Sequence, residues 1–162
     1  MLDLVKQETE RIDSRFLEPA CGEGAFLTEI LRRKLSVVKS RYAKNAFDYE
    51  RYSVQAVMSI YGVDILEDNA AICRDNLFEI WDKEYTAICK VQANDECREV
   101  VKFILQTNII CGDALTMKQN NGTPITLLNG ALYAQPWLKG AITNRCIIKR
   151  QRTGIRYFQL AL

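Results

Sequence analysis

The sequence predicts an α/β fold in which short parallel strands alternate with helices. Three observations support this prediction. Three short apolar runs each end in an acidic residue, stretches with helical spacing of apolar residues separate these runs, and a glycine-rich turn follows the first run. Chains that alternate strands and helices in this way form parallel sheets. With 162 residues, of which 48% are hydrophobic, the chain is long enough for one domain with a buried core.

The predicted elements follow one another along the chain in a regular order. A short amphipathic helix near the N-terminus precedes a strand at residues 15–18, which stops at Pro19. From Gly24 onward apolar residues recur at helical spacing, with Arg32, Arg33 and Lys34 expected to face solvent. The later elements are predicted as a helix around 49–57, a strand at 60–64, helices over 66–93 and 99–106, and a strand at 108–113. Beyond Lys118 the sequence shows no clear periodicity, and we assign no element there.

The composition excludes several classes of protein. A formal net charge of +2 predicts no overall electrostatic attraction to nucleic acid. The six cysteines form no Cys-x-x-Cys pair and the chain has no histidine, so the usual zinc-binding sets cannot form and we predict no metal. No apolar run approaches the roughly 18 residues of a membrane span, and the charged N-terminus is unlike a secretory signal. We therefore predict a cytoplasmic protein with reduced thiols and no membrane contact.

The glycine-rich turn is the segment most typical of a binding site. Residues 16–27 read Phe-Leu-Glu-Pro-Ala-Cys-Gly-Glu-Gly-Ala-Phe-Leu. A strand that ends in an acid, followed by a turn with two glycines, lets backbone N–H groups at a helix N-terminus come close to a ligand. A turn of this kind can also be a plain connection between a strand and a helix.

This run resembles the cofactor motif of the N6-adenine DNA methyltransferases of restriction-modification systems, Asp/Glu-Pro-Ala-Cys-Gly-Ser/Asn-Gly. Residues 61–65 are similar to the second motif of that family and residues 109–115 to the third, in the same order. The resemblance covers about residues 1–125. It implies an adenine-N6-specific DNA methyltransferase that uses S-adenosyl-L-methionine. It also implies a Rossmann-like class I methyltransferase fold, represented here incompletely by its first three parallel strands with flanking helices.

The resemblance also implies a role for each matching residue. The backbone of residues 20–24 would cradle the methionine end of the cofactor, and Glu18 would accept a hydrogen bond from its amino group. Asp64 would accept from the ribose hydroxyls while Ile65 packs on the adenine ring, and Asp113 would accept from the adenine amine. The cofactor-binding set expected from the resemblance is Glu18, Pro19, Ala20, Cys21, Gly22, Gly24, Asp64, Ile65, Asp113 and Ala114.

Two other interpretations of these residues were weighed. An acid at the end of a strand can simply cap the next helix, which is the structural alternative for Asp64 and Asp113. A nicotinamide dinucleotide site requires an acid about 20 residues after the glycines and a third glycine. Asp64 follows Gly22 by more than twice that interval, and position 27 is Leu. The dinucleotide interpretation is therefore excluded.

The chain lacks the motif that would bind the methyl acceptor. The family uses Asp/Asn-Pro-Pro-Tyr/Phe to hold the flipped adenine, whereas the prolines here, Pro19, Pro124 and Pro136, are never adjacent. No residue is therefore assigned a catalytic role, and the resemblance implies a fragment that is inactive alone. DNA would be contacted through regions outside this segment. Two alternatives stay open: a methyltransferase acting on RNA or protein, and a non-catalytic subunit that binds cofactor or docks to a partner chain supplying the remaining strands.

We divide the chain into residues 1–125, the cofactor-binding half, and an atypical tail at 126–162. Residues 122–125, Gly-Thr-Pro-Ile, still match related enzymes, and the sequence then departs from them. A one-base shift in a back-translation of residues 128–130 restores the expected Glu-Trp. Our hypothesis is that the residues after about Ile125 are translated out of frame.

Overall fold

The computed structural model of the chain describes residues 6–128 and 157–158. Most of the hypothesised out-of-frame tail lies outside these residues. The elements are α1 (Lys6–Thr9), β1 (Phe16–Glu18), α2 (Ala25–Tyr42), α3 (Ala46–Met58), β2 (Ile60–Asp64), α4 (Glu67–Cys89), a short 3-10 helix (Lys90–Gln92), α5 (Asp95–Asn108), β3 (Ile109–Asp113), β4 (Lys118–Gln119), β5 (Leu127–Leu128) and β6 (Tyr157–Phe158). The predicted alternation of strands and helices is confirmed.

The strands form a small, open and mostly parallel sheet in the order β1-β2-β3-β4. β1 runs parallel to β2 with Phe16 opposite Ile60, and β2 runs parallel to β3 with Gly62 opposite Ile109. Two helices stand between each pair of neighbouring parallel strands along the chain, as parallel pairing requires a long crossover. The protein is thus a mixed α/β protein with flanking helices.

Short strands are present beyond Lys118, where the sequence allowed no assignment. β4 turns back to pair antiparallel with β3, and β5 pairs antiparallel with β6 in a separate two-stranded sheet. Each of these strands is two residues long, too short for an alternating pattern to show in the sequence. The turn before the β5 segment is stabilised by the Asn121 side chain, which accepts from the Thr123 N–H at 3.0 Å.

Asparagine side chains set the beginnings of two helices. Asn45 accepts hydrogen bonds from the N–H groups of Phe47 and Asp48 at the start of α3. Asn94 accepts from the Cys97 N–H at the start of α5. Because of this cap α5 begins four residues earlier than its apolar periodicity predicts. In the described ranges, no helix is both long and apolar enough to cross a membrane.

The sheet separates two clusters of buried residues, because successive side chains of a strand point to opposite faces. The larger cluster contains Ile60 and Ile109 and packs against the inner faces of the helices from α2 to α5. The smaller cluster lies on the other face and consists of Tyr61, Val63, Ile110, Ile125 and Leu127. The helices described for this chain therefore cover one face of the sheet, and the segment after β4 covers the other.

Lys34 is buried, contrary to the prediction that it faces solvent. Its ammonium group donates to the carbonyl oxygens of Arg11 (2.9 Å), Ile12 (3.0 Å) and Ser14 (2.6 Å). It also lies 5.2 Å from the centre of the Phe16 ring. These carbonyl acceptors belong to the segment before β1. The spacing of apolar residues in α2 gives no sign that this segment packs against the helix. Lys34 therefore fastens this segment to α2. Of the three residues predicted to face solvent, Arg32 is exposed and Arg33 is half-buried.

Candidate functional site

The glycine loop, residues 19–24, lies at the carboxyl end of β1 and is fastened to β2. The Cys21 N–H donates to the Val63 carbonyl at 3.0 Å, and the Gly24 N–H donates back to the Cys21 carbonyl at 2.9 Å. The first turn of α2 follows at once, because the Thr28 N–H donates to the Gly24 carbonyl at 2.8 Å. The position of the loop is therefore determined by the neighbouring strand as well as by its own.

The two glycines of the loop are required for different reasons. Both have a left-handed backbone, with φ of 51° at Gly22 and 87° at Gly24, which glycine adopts without steric cost. A Cβ atom on Gly24 would also lie 2.6 Å from the Cys73 Sγ, whereas a Cβ on Gly22 would meet no atom within 4 Å. Gly24 is thus packed against α4, while Gly22 borders open space that a ligand could occupy.

Asp64, the last residue of β2, joins the loop to the next helix. Its Oδ2 accepts from the Gly22 N–H at 2.8 Å, and its Oδ1 accepts from the Leu66 N–H at 2.9 Å. The Asn69 amide donates to the same Oδ1 at 3.1 Å. The first and second motif segments are therefore in direct contact. Asp64 does not cap α4, the structural alternative that we considered, because Leu66 is the N-cap residue of that helix and no side chain caps it.

The environment of Asp64 keeps its carboxyl group ionised. The residue is only 8% exposed, and burial alone would raise its pKa. The hydrogen bonds from Leu66, Gly22 and Asn69 outweigh this effect and hold the pKa of Asp64 below its ordinary value. A group of this kind presents a fixed negative charge next to the loop.

Ile65 and Leu66 form an apolar ledge directly after Asp64. Their exposed fractions are 67% and 58%, which is unusual for large apolar side chains. The ledge is joined to the end of β3, where the Cys111 thiol donates to the Ile65 carbonyl at 3.5 Å. The Ile65 side chain is thus exposed at the end of β2.

Asp113 organises the turn after β3. Its Oδ1 accepts from the Leu115 N–H at 2.8 Å and its Oδ2 accepts from the Thr116 hydroxyl at 3.1 Å. Ala114 packs against the smaller buried cluster, and Leu115 is 89% exposed. Asp113 lies on the strand next to Asp64, so both acids lie at the carboxyl edge of the sheet.

Glu18 differs from the other two acids at the strand ends. It lies opposite Gly62 in the β1–β2 register and is half-buried. Within the part of the chain that the structure describes, its carboxylate makes no hydrogen bond or ion pair, whereas Asp64 and Asp113 both do. Pro19 and Ala20, which follow it, are exposed. Glu18 is therefore the acid with its full capacity to accept hydrogen bonds.

Sequence reasoning missed two residues that shape this site, Asn69 and Cys73. Asn69 lies in the first turn of α4, only five residues after Asp64. This short separation in the sequence could have indicated that the two side chains are close. Cys73 supports Gly24 from the next turn of the same helix. That contact joins segments far apart in the sequence, and no local pattern indicates it.

A groove of about 710 Å³ lies between α2 and α4. Its lining carries charges of both signs, including Arg32, Lys39, Glu79 and Glu84, and Glu23 is the one residue of the glycine loop in it. Because these charges balance, the groove shows no preference for a charged ligand. Among the described residues, no group of three or more Cys, Asp or Glu side chains could hold a metal ion.

No family model, no curated protein and no solved structure matches this chain. A function must therefore be inferred from the residues at the strand ends and from the motifs that they resemble.

Proposed function

We propose that this chain is the S-adenosylmethionine-binding part of a class I methyltransferase related to the N6-adenine DNA methyltransferases. The hydrogen bond from the Gly22 N–H to the Asp64 carboxylate, 2.8 Å long, carries the proposal. It brings the first two motif segments together at the carboxyl edge of a parallel sheet, where α/β proteins of this kind bind their ligands. The strand order β1-β2-β3 supports the same Rossmann-like arrangement.

The residues present fit such a cofactor, which supplies an electrophilic methyl group on a sulfonium centre when it is bound. Glu18 has free oxygens for an ammonium group, and the open space at Gly22 leaves the loop backbone accessible. An ionised carboxylate has about four acceptor positions, of which Asp64 uses three. Asp64 can therefore accept one further hydroxyl through Oδ2 without losing a bond that it already makes.

The methyl-acceptor motif must come from another chain or from another segment of a longer protein, because this sequence contains no adjacent prolines. We propose DNA adenine as the acceptor on the resemblance of the three motif segments alone. This chain would then hold the cofactor, and the other segment would hold the flipped base.

Thermal melting with and without S-adenosylmethionine, together with isothermal titration calorimetry, tests the proposal. A ligand that binds the native state raises the melting temperature. We expect Glu18→Gln to weaken binding by roughly 10-fold or more, since a hydrogen bond to a charged group is worth about 1.5–3 kcal/mol. The melting temperature without ligand should not change, because Glu18 has no partner in the described part of the chain.

Asp75→Asn is the matched control, since Asp75 is an exposed acid on α4 away from the strand ends. This variant should bind the cofactor like the unmodified chain. A cooperatively folded chain whose melting temperature does not respond to millimolar S-adenosylmethionine would refute the proposal.

A second candidate is a non-catalytic subunit whose sheet is completed by a partner chain. In the described ranges β1 pairs with β2 alone, which leaves its other edge open. Leu17 of this strand is 39% exposed. Co-purification from the native cell with a chain that carries Asp/Asn-Pro-Pro-Tyr would favour this candidate, and a chain that always purifies alone would count against it.

A further inference from the structure

The Asn76 side chain of α4 reaches the glycine loop. Its amide nitrogen donates to the Glu23 carbonyl at 3.0 Å, although Asn76 lies 53 residues further along the chain and belongs to none of the motif segments. Glu23 stands between Gly22 and Gly24, which both have a left-handed backbone. The bond from α4 therefore acts at the part of the loop with the greatest backbone freedom.

Different elements hold the two halves of the glycine loop. The first half is fastened to β2 by the N–H groups of Cys21 and Gly22, which donate to the Val63 carbonyl and the Asp64 carboxylate. The second half contacts α4, where the Asn76 amide holds the Glu23 carbonyl and Gly24 is packed against the Cys73 Sγ. The position of the second half therefore depends on α4.

Asn69, Cys73 and Asn76 lie on one face of α4, because residues three and four positions apart are neighbours along a helix. The Asn69 amide donates to the Asp64 Oδ1 at 3.1 Å. This face therefore contacts both segments of the candidate site, the acid that ends β2 and the loop that follows β1. Asparagine is a weaker helix former than alanine, so the two bonds and not helix stability account for asparagine at both positions.

We infer that Asn76 is a positioning residue, which fixes the second half of the glycine loop and thereby sets the affinity of the site for the amino-acid end of the cofactor. This inference rests on the proposed function, in which the loop backbone holds the methionine end and Asp64 holds the ribose. Asn76 acts through the Glu23 carbonyl and not by contact with the cofactor. Asn69 acts in the same way on the ribose end, through Asp64.

Isothermal titration of the full chain with two ligands tests the inference. S-adenosylhomocysteine and methylthioadenosine share the adenosine and the sulfur atom, and only the first carries the amino acid. We expect Asn76→Ala to weaken the binding of S-adenosylhomocysteine by roughly 2- to 10-fold, as for the loss of one neutral hydrogen bond, and to leave that of methylthioadenosine unchanged. Asn69→Ala should weaken both ligands alike, because both contain the ribose. The control Asp75→Ala, at an exposed neighbour on the same helix, should change neither.

Amide hydrogen exchange measured by NMR tests the same role without any ligand. The Gly24 N–H donates to the Cys21 carbonyl within the loop, so a loosened loop opens this N–H to water more often. We expect its exchange in Asn76→Ala to become faster by a similar factor, while the N–H groups of β2 exchange as in the unmodified chain. A loss of overall stability would accelerate both sets equally.

Two results would overturn the inference. One is exchange at Gly24 that stays the same in Asn76→Ala or that rises equally in β2. The other is an unchanged ratio of the two affinities in this variant, when the unmodified chain binds both ligands. An unmodified chain that binds neither ligand would refute the proposed function instead, and the exchange data would then decide alone whether Asn76 holds the loop.

Discussion

At the scale of single residues, Asp64 is a carboxylate that holds two segments of the fold together and is also part of the candidate site. It is nearly buried, and its bonds to Gly22 and Leu66 join the loop to the start of α4. Because its pKa is lower in the folded chain than in the unfolded chain, the unfolded state binds more protons as the pH falls below about 3.9. The stability that it contributes is therefore present above that pH and is lost below it.

We predict that Asp64→Asn lowers the free energy of unfolding at pH 7 by about 1–3 kcal/mol, because an amide nitrogen in place of Oδ2 cannot accept from the Gly22 N–H. The loss should shrink at pH 3, below the ordinary pKa of Asp, where the carboxyl of the unfolded chain is protonated and the ionised native form loses part of its advantage. Urea unfolding at both pH values measures this, with Asp75→Asn as the control. An equal loss at both values would contradict the role of the charged form.

Lys34 gives a pH dependence in the alkaline range. Burial lowers its pKa to about 7, with the Asp13 and Glu8 carboxylates opposing and Arg11 reinforcing this effect. The unfolded value is about 10.4, so between pH 7 and 10 the unfolded chain binds more protons at this site. The contribution of Lys34 to the free energy of unfolding therefore rises with pH across this interval.

We predict that the stability difference between the unmodified chain and Lys34→Met grows from pH 7 to pH 10. The difference is the appropriate measure, because the buried thiols and tyrosines titrate in both chains and cancel. Guanidinium unfolding at three pH values in this interval would measure it. A difference that stays flat would mean that the three carbonyl acceptors keep Lys34 charged throughout the interval.

At the scale of elements, a polar network joins α3, α4 and α5. The Tyr85 hydroxyl donates to the Glu50 carboxylate at 2.5 Å and accepts from the Asn94 N–H at 3.2 Å. Tyr49, also buried between these helices, has a hydroxyl without a hydrogen-bond partner in the described part of the chain. The two tyrosines thus contribute similar apolar area but different hydrogen bonding.

Two matched substitutions separate these contributions. We predict that Tyr85→Phe lowers the free energy of unfolding by about 1–3 kcal/mol, because it removes the hydrogen bond from the buried hydroxyl to the half-buried Glu50 carboxylate. Tyr49→Phe should leave stability unchanged or raise it by about 1 kcal/mol, because it removes an unpaired buried hydroxyl. Thermal and urea unfolding of both variants provide the measurement. An equally large loss in Tyr49→Phe would indicate that its hydroxyl has a bound water as partner.

The helices and parallel strands could be predicted because their patterns are local. Apolar spacing indicated α2 and α4, and acids marked the ends of β2 and β3. The burial of Lys34 could not be predicted, because its acceptors belong to the segment before β1, which only the tertiary fold brings close. The same reason applies to Cys73 under Gly24. The candidate site residues at the strand ends were chosen by motif, whereas the three hydrogen bonds that occupy Asp64 required the structure.

At the scale of the whole molecule, β1 forms an open edge of the sheet among the described strands. β1 presents unpaired backbone groups and the half-exposed Leu17 there, and edges of this kind pair with other chains unless a charge interrupts them. We predict concentration-dependent association of the purified chain, reduced by Leu17→Lys. Sedimentation velocity at several concentrations measures both effects. Sedimentation that is independent of concentration in the unmodified chain would contradict this prediction.

The contact between Gly24 and Cys73 also constrains how such a chain can evolve. The space at this point holds either the Cys73 sulfur or a methyl group on residue 24. A side chain at position 24 therefore requires that the residue at position 73 first becomes smaller. The left-handed backbone at position 24 makes this exchange unequal, because few residues besides glycine tolerate it. Lineages derived from this chain should therefore vary at position 73 long before they vary at position 24.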